Sequence, residues 1–250
     1  MKNKIKNLIN FRKKISNKKL TIGSWMQISN TTIAEIMADS NFEWIVVDLE
    51  HGIFNISDLP DIFRAIESKD CIPFARLGSN TRSEIQSVLE SGCCGIIYPN
   101  ILNSDQLEGL ISYAKWPPAG KRGVGYSRAN LHGKYFNEYK VLSKNIISIA
   151  MIEDVEAINN LDSILSVKEL DAIFIGPYDL SASLGIVGQF DDKIFKSAIK
   201  EILLKSIDYN VSCGIHLVEP SLKKLKDLSK KGYSFIAYSL DAVLIKNSLL

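Results

Sequence analysis

Acidic residues are missing from the start of this chain. No Asp or Glu occurs before Glu35, although Lys2, Lys4, Lys6, Arg12, Lys13, Lys14, Lys18 and Lys19 all lie in that stretch. No unbroken apolar run of the kind a signal peptide or membrane helix needs is present near the start, so neither is expected. Cysteine is scarce, and Cys71, Cys93, Cys94 and Cys213 contain no C-x-x-C pair. That spacing excludes a thiolate zinc site and leaves buried, reduced thiols of a cytoplasmic protein. Nucleotide signatures are absent too: no G-x-G-x-x-G follows the first apolar run, and no G-x-x-x-x-G-K-[ST] occurs.

What is present is a soluble globular composition, with 46% hydrophobic and 23% charged residues in a chain of 250. The net charge of +2 excludes little about partners. The basic start, about residues 1–19, carries Ile5, Leu8, Ile9, Arg12 and Ile15 at roughly helical spacing. Without a series of aromatics interleaved for base stacking, it reads as the solvated face of a short helix. A nucleic-acid or membrane-binding arm is the alternative.

Short apolar runs rich in Ile, Val and Phe recur along the chain, as strands buried on both faces should. They predict strands at 20–26, 43–48, 72–77, 95–99, 146–153, 172–175, 211–217 and 234–240. Amphipathic stretches separate them. Helix starts are expected at Thr32, with Glu35 three residues on, and at Thr81, with Glu84. Residues 155–167 and 198–209 carry the helical period, and Pro117-Pro118 stops a helix before them. Strict alternation of strand and helix predicts a parallel sheet, and eight units favour a closed (β/α)8 TIM barrel as one domain over 1–250. The longest connection, 116–145, has the length of a lid or an interface segment.

In a barrel the reactive groups lie where strands end and the following loops begin. The second run, Trp44-Ile-Val-Val-Asp48, leads straight into Leu49-Glu50-His51. Three ionisable residues in so short a strand exit point to chemistry, against a simple hydrogen-bonded turn capped by Asp48. The third run ends on Arg76, whose planar fork suits either a ligand carboxylate or an ion pair with Asp48 or Glu50. The fifth ends on Glu153, and the sixth enters Gly176-Pro177-Tyr178-Asp179. Two carboxylates from adjacent strands suit an open Mg²⁺ or Mn²⁺ site, whereas helix capping explains either one but not both beside Arg76. Gly176 lets backbone approach a ligand. His216, alone at the end of the seventh run, reads first as a packing residue.

At these residues the chain resembles the HpcH/HpaI aldolase family. The likeness rests on Gly23-Ser-Trp25, Asp48-Leu-Glu-His51, the segment 113–125, Ile152-Glu153, the segment 160–164 and Phe174-Ile-Gly-Pro-Tyr-Asp-Leu-Ser181. It implies a metal-dependent aldolase that cleaves a 4-hydroxy-2-oxo acid to pyruvate and an aldehyde. Glu153 and Asp179 would hold a divalent cation (Mg²⁺, Mn²⁺ or Co²⁺), and Arg76 would bind the keto-acid carboxylate. His51, oriented by Asp48, would take part in proton transfer. Gly176, Pro177, Tyr178 and Trp25 would complete the substrate pocket. The resemblance also implies a cytoplasmic homo-oligomer, a trimer of dimers, with small-molecule partners and neither nucleic acid nor membrane. The chain departs from the family at Met151, where the family usually has Gln, and at Cys93-Cys94 and Tyr98-Pro-Asn100. Two other readings are a lyase acting on an acyl-CoA ester, with phosphates near Lys121, Arg122 and Arg128, and a non-catalytic keto-acid-binding barrel.

Overall fold

The computed structural model describes residues 1–249. The strands are β1 Thr21–Met26, β2 Trp44–Asp48, β3 Ile72–Arg76, β4 Gly95–Tyr98, β5 Ile147–Ile152, β6 Ala172–Ile175, β7 Ser212–Leu217 and β8 Phe235–Leu240. Each pairs in parallel with the next, and β8 pairs back onto β1, so the sheet closes into a barrel with helices between strands. Every residue of β2, β3, β5 and β6 is buried, which is why their sequences are almost wholly apolar.

The N-terminal half of the barrel is filled by rings. Trp44 stacks on Phe235 with centroids 4.1 Å apart and planes 7° from parallel. Phe74 packs against both, and Phe174 meets Phe235 edge-on at 5.9 Å. Glycines on other strands leave the space for them. A Cβ at Gly23 would lie 2.0 Å from the Trp44 ring, one at Gly95 2.2 Å from Phe74, and one at Gly214 2.5 Å from Phe174. This half of the barrel is therefore a packed core, and the cavity described below lies at the C-terminal ends of the strands.

A helix at Lys2–Ser16 lies against the opposite end, burying Leu8, Phe11 and Ile15. Phe11 meets Phe74 edge-on at 5.8 Å, and Ser212 Oγ donates to the Ile15 carbonyl at 2.6 Å. Part of the basic face expected in solvent is instead paired: Lys4 with Glu67 at 2.5 Å, Arg12 with Asp171 at 2.6 Å and Lys14 with Glu43 at 2.5 Å. The acids missing from the first stretch of sequence are thus supplied from the barrel.

Two helix expectations change. The helix Thr31–Ala38 is capped by Asn30, whose side chain accepts from the N–H groups of Thr32 and Ile33, and Thr32 lies inside it. Asn is the stronger cap. The stretch expected as one helix at 155–167 is broken at Asn160 into Val155–Asn159 and Leu161–Leu165, with Asn160 Nδ2 donating to the Leu102 carbonyl at 2.9 Å. Thr81 caps Arg82–Glu90 as expected. The long connection holds a short turn of helix at Arg128–Asn130 and a helix at Phe136–Lys144. The four cysteines are buried and free, and among the described residues no helix is long and apolar enough to cross a membrane.

Candidate active site

Parallel pairing sets Asp48 and Arg76 directly opposite each other as the last residues of β2 and β3. Both side chains are buried, and the guanidinium lies across the carboxylate. Nε donates to Oδ1 at 2.8 Å and Nη2 to Oδ2 at 2.7 Å. Asp48 also accepts from Gln27 Nε2 at 3.0 Å and from the backbone N–H groups of Glu50 and His51, each at 3.2 Å. Burial opposes the charge on this carboxyl, but the Arg76 fork and the Gln27 amide outweigh it and hold its pKa below the ordinary range. Asp48 therefore fixes both Arg76 and the turn that carries His51. Its bond to His51 runs through the backbone, while the imidazole stands exposed at the mouth.

Arg76 also forms an ion pair with Glu50, with Nη1 2.8 Å from Oε2. A guanidinium has five N–H donors, Asp48 takes two of them, and Arg76 lines the cavity described below. Glu50 in turn accepts from Asn100 Nδ2 at 3.3 Å, and the Asn100 backbone N–H donates to Glu153 Oε1 at 2.7 Å. One polar chain thus links the arginine of β3 to the glutamate that follows β5.

Glu153 is buried, and its second oxygen, Oε2, has no hydrogen-bond partner. Burial raises its pKa to about 7; the Asn100 N–H opposes this, and the nearby charges of Asp179 and Glu50 add to it. Such an atom calls for a cation or a proton. Gly176 keeps the space beside it open, since a Cβ there would lie 2.6 Å from Oε2. Asp179 is exposed on the first turn of the helix Pro177–Ser183. Among the described residues no group of three or more His, Cys, Asp or Glu side chains could hold a metal. The protein offers at most a pair of carboxylates there, the donor set of an Mg²⁺-type site that takes its other ligands from water and substrate.

A cavity of about 260 Å³ opens between these groups, lined by Trp25, Gln27, Asp48, His51, Arg76, Met151, residues 174–179, His216, Val218 and Leu240. It brings together the residues expected at the site except Glu153, which lies against Gly176, and Glu50, which pairs with Arg76. Trp25 lies over the site, with the Arg76 guanidinium carbon 5.7 Å from its ring centre. The Tyr178 side chain is half exposed and packs edge-on against Phe190 at 5.0 Å.

Sequence reasoning passed over Gln27 and Asp241, and named Asn100 only as a departure from the family. Gln27 and Asp241 immediately follow β1 and β8, so the strand-exit rule applied to all eight strands would have found them. Asp241 is buried and accepts from the backbone N–H groups of Gln27, Ile28 and Ala242, tying the β1 and β8 exits together. The phosphate surface considered at Lys121, Arg122 and Arg128 does not form. Arg122 is buried and donates to Tyr139 Oη at 2.9 Å, while Arg128 pairs with Glu67 at 2.7 Å.

The model of the family described as HpcH/HpaI aldolase/citrate lyase matches residues 21–248. A hydroxypyruvate/pyruvate aldolase of Roseobacter denitrificans is 29% identical over 240 residues, covering 95% of this chain and 93% of that one. A 2-keto-3-deoxy-L-rhamnonate aldolase of Shigella dysenteriae is 30% identical over 245 residues, covering 96% and 90%. In three dimensions the chain is similar to an HpcH/HpaI aldolase/citrate lyase family protein from Burkholderia cenocepacia. That likeness has a TM-score of 0.91 at 22% identity, covers 96% of each chain, and speaks for the fold.

Proposed function

Because the chain belongs to the HpcH/HpaI aldolase/citrate lyase family, we propose that it is a metal-dependent aldehyde-lyase that reversibly cleaves a 4-hydroxy-2-oxo acid to pyruvate and an aldehyde. The observation that carries this reading is the unpartnered Oε2 of Glu153 beside a cavity lined by Arg76 and Asp179. A divalent cation (Mg²⁺, Mn²⁺ or Co²⁺) held by Glu153 and Asp179 would supply a Lewis acid at the keto oxygen, where negative charge develops.

The chain's own residues do the rest. Arg76 receives the keto-acid carboxylate on the donors that Asp48 and Glu50 leave free, and its charge favours the enolate as the carbon–carbon bond breaks. The imidazole of His51 takes the proton of the C4 hydroxyl as that bond breaks, a proton then reaches the methylene carbon of the enolate from solvent to give pyruvate, and both transfers reverse on the synthetic path. Its position follows from the turn that Asp48 pins. Trp25, Gly176, Pro177 and Tyr178 wall the pocket and limit water around the enolate. No Schiff-base lysine is needed, and no lysine lines the cavity. Family membership also leads us to expect a homo-oligomer, a trimer of dimers, which analytical ultracentrifugation would read directly.

The test needs no knowledge of the aldehyde. Pyruvate is incubated with the protein and Mg²⁺, Mn²⁺ or Co²⁺ in D₂O, and methyl-proton exchange is followed by NMR. Exchange that requires the metal and is lost on chelation or in Glu153→Gln is the expected result. Folded protein that exchanges nothing with any of the three metals would overturn the proposal.

A further inference from the structure

His216 lines the cavity, and the chemistry above does not use it. Its ring lies over Trp25, with centroids 5.1 Å apart and planes 26° from parallel. Its Nε2 is 3.0 Å from the carbonyl oxygen of Ser239. A carbonyl oxygen can only accept, so Nε2 carries the hydrogen and the neutral ring keeps its lone pair on Nδ1.

That carbonyl is not where a regular strand would place it. Ser239 lies inside β8 with φ of 59°, in the left-handed region that non-glycine residues avoid. The β1–β8 pairing shifts register alongside, between Gly23 and Trp25. Ser24 Oγ donates to the same oxygen at 3.2 Å. A backbone outlier of this kind persists only where its surroundings over-determine it, and such sites concentrate where function needs them. Here it holds the imidazole of His216 in one tautomer.

The electrostatics agree with that geometry. Burial pushes the His216 pKa down to about 4; the Ser239 bond opposes this, and the Arg76 charge reinforces it. At neutral pH the ring is therefore a hydrogen-bond acceptor and a poor base. Around it the wall is apolar, with Met151, Phe174, Val218 and Leu240. An acceptor set among apolar lining residues discriminates between ligands that bring a donor and ligands that do not. A volume of about 260 Å³ falls below the roughly 300–1,000 Å³ of pockets for drug-sized ligands, so the molecule admitted beside a keto acid is short.

We propose that His216 is a specificity-determining residue whose Nδ1 accepts a hydrogen bond from a hydroxyl on the aldehyde half of the substrate, so that short hydroxyaldehydes are favoured over their deoxy counterparts. This rests on the aldol chemistry proposed above, since it requires an aldehyde beside the keto acid.

The test compares kcat/KM for addition of pyruvate to glycolaldehyde and acetaldehyde, and to lactaldehyde and propanal. The proteins are the wild type, His216→Leu and His216→Gln. The quantity read is the change in the hydroxy-to-deoxy ratio between proteins, which removes both the intrinsic reactivity of the aldehydes and any general loss of activity. His216→Leu is expected to lower the ratio about tenfold, and His216→Gln, which keeps a carbonyl acceptor, to retain part of it. The same ratio in wild type and His216→Leu overturns the proposal. A ¹⁵N spectrum of the wild type gives a readout free of turnover: a neutral Nε2–H tautomer from pH 6 to 8 is expected, and an Nδ1–H or charged ring overturns it. Deuterium exchange into pyruvate is run alongside. Its absence in wild type overturns the aldolase reading itself, whereas exchange with an unchanged ratio overturns only the role of His216.

Discussion

A methyl group placed on Gly176 would lie 2.6 Å from Oε2 of Glu153 and 3.0 Å from Cε of Met151. The backbone of Gly176, at φ −91° and ψ 92°, suits any residue, so this glycine is required for space and not for conformation. The free oxygen of Glu153 and the exit of β6 share one gap. Gly176→Ala is therefore expected to fold and to lower Mn²⁺ affinity by about tenfold or more, measured by titration calorimetry. Wild-type Mn²⁺ affinity in the folded variant would show that the cation does not sit against Oε2.

The same glutamate makes a pH prediction of definite sign. Its pKa is raised to about 7 by burial, so the folded protein holds the proton more tightly than the unfolded chain does. This contribution to stability is complete below the ordinary glutamate range and is lost as pH rises through 7. Metal-free protein is expected to lose melting temperature between about pH 5 and 8 relative to Glu153→Gln, which has no carboxyl to titrate. Mn²⁺ affinity should run the other way, rising about tenfold per pH unit below 7 and levelling above it. A flat difference in melting temperature across that range would refute the buried, unpaired carboxyl.

The strands were legible because burial on both faces leaves a run of apolar residues that little else produces, and the barrel follows from counting them. Asp48, Arg76 and Glu153 were legible for the same reason: each is a charge at the end of such a run. What stayed hidden depends on contacts far apart in sequence. Nothing near Lys4, Arg12 or Lys14 announces Glu67, Asp171 or Glu43. The link from Glu50 through Asn100 to Glu153 likewise joins three separate strand exits. The role of Ser239 rests on a backbone angle, and serine carries no mark of the left-handed region.

Arg76 and Asp48 form a buried pair that should behave differently under two substitutions. Arg76→Lys keeps the charge but loses the parallel donors that match a carboxylate. The KM for pyruvate in the exchange assay is expected to rise about tenfold or more, because an ammonium gathers three donors on one nitrogen and cannot give Asp48 a paired contact while also giving a ligand carboxylate one. Asp48→Ala leaves the guanidinium buried without its closest partner. Removing one member of a buried pair costs about 3–5 kcal/mol, readable by urea denaturation. A loss under about 1 kcal/mol would place Asp48 among weakly coupled surface groups, against its complete burial.

Arg12 and Asp171 decide whether the basic helix serves the barrel. Arg12 Nε donates to Asp171 Oδ1 at 2.6 Å, and the aspartate side chain is 8% exposed. Its other oxygen accepts the Ser148 backbone N–H at 3.0 Å, at the start of β5. Burial raises the pKa of Asp171 while Arg12 draws it down, so removing the arginine strands a charge in an apolar setting. Arg12→Ala is expected to destabilise the protein by about 1–3 kcal/mol, more at pH 8 than at pH 5, because protonation relieves the stranded carboxylate at the lower pH. Adding Asp171→Asn should recover most of the loss, since a neutral amide is cheaper to bury than an unpaired charge. The pair lies at the end of the barrel opposite the mouth, so pyruvate exchange by folded protein at 25 °C should stay within about twofold of wild type. A single variant as stable as wild type at pH 8 would return this helix to the solvated face first read from its sequence.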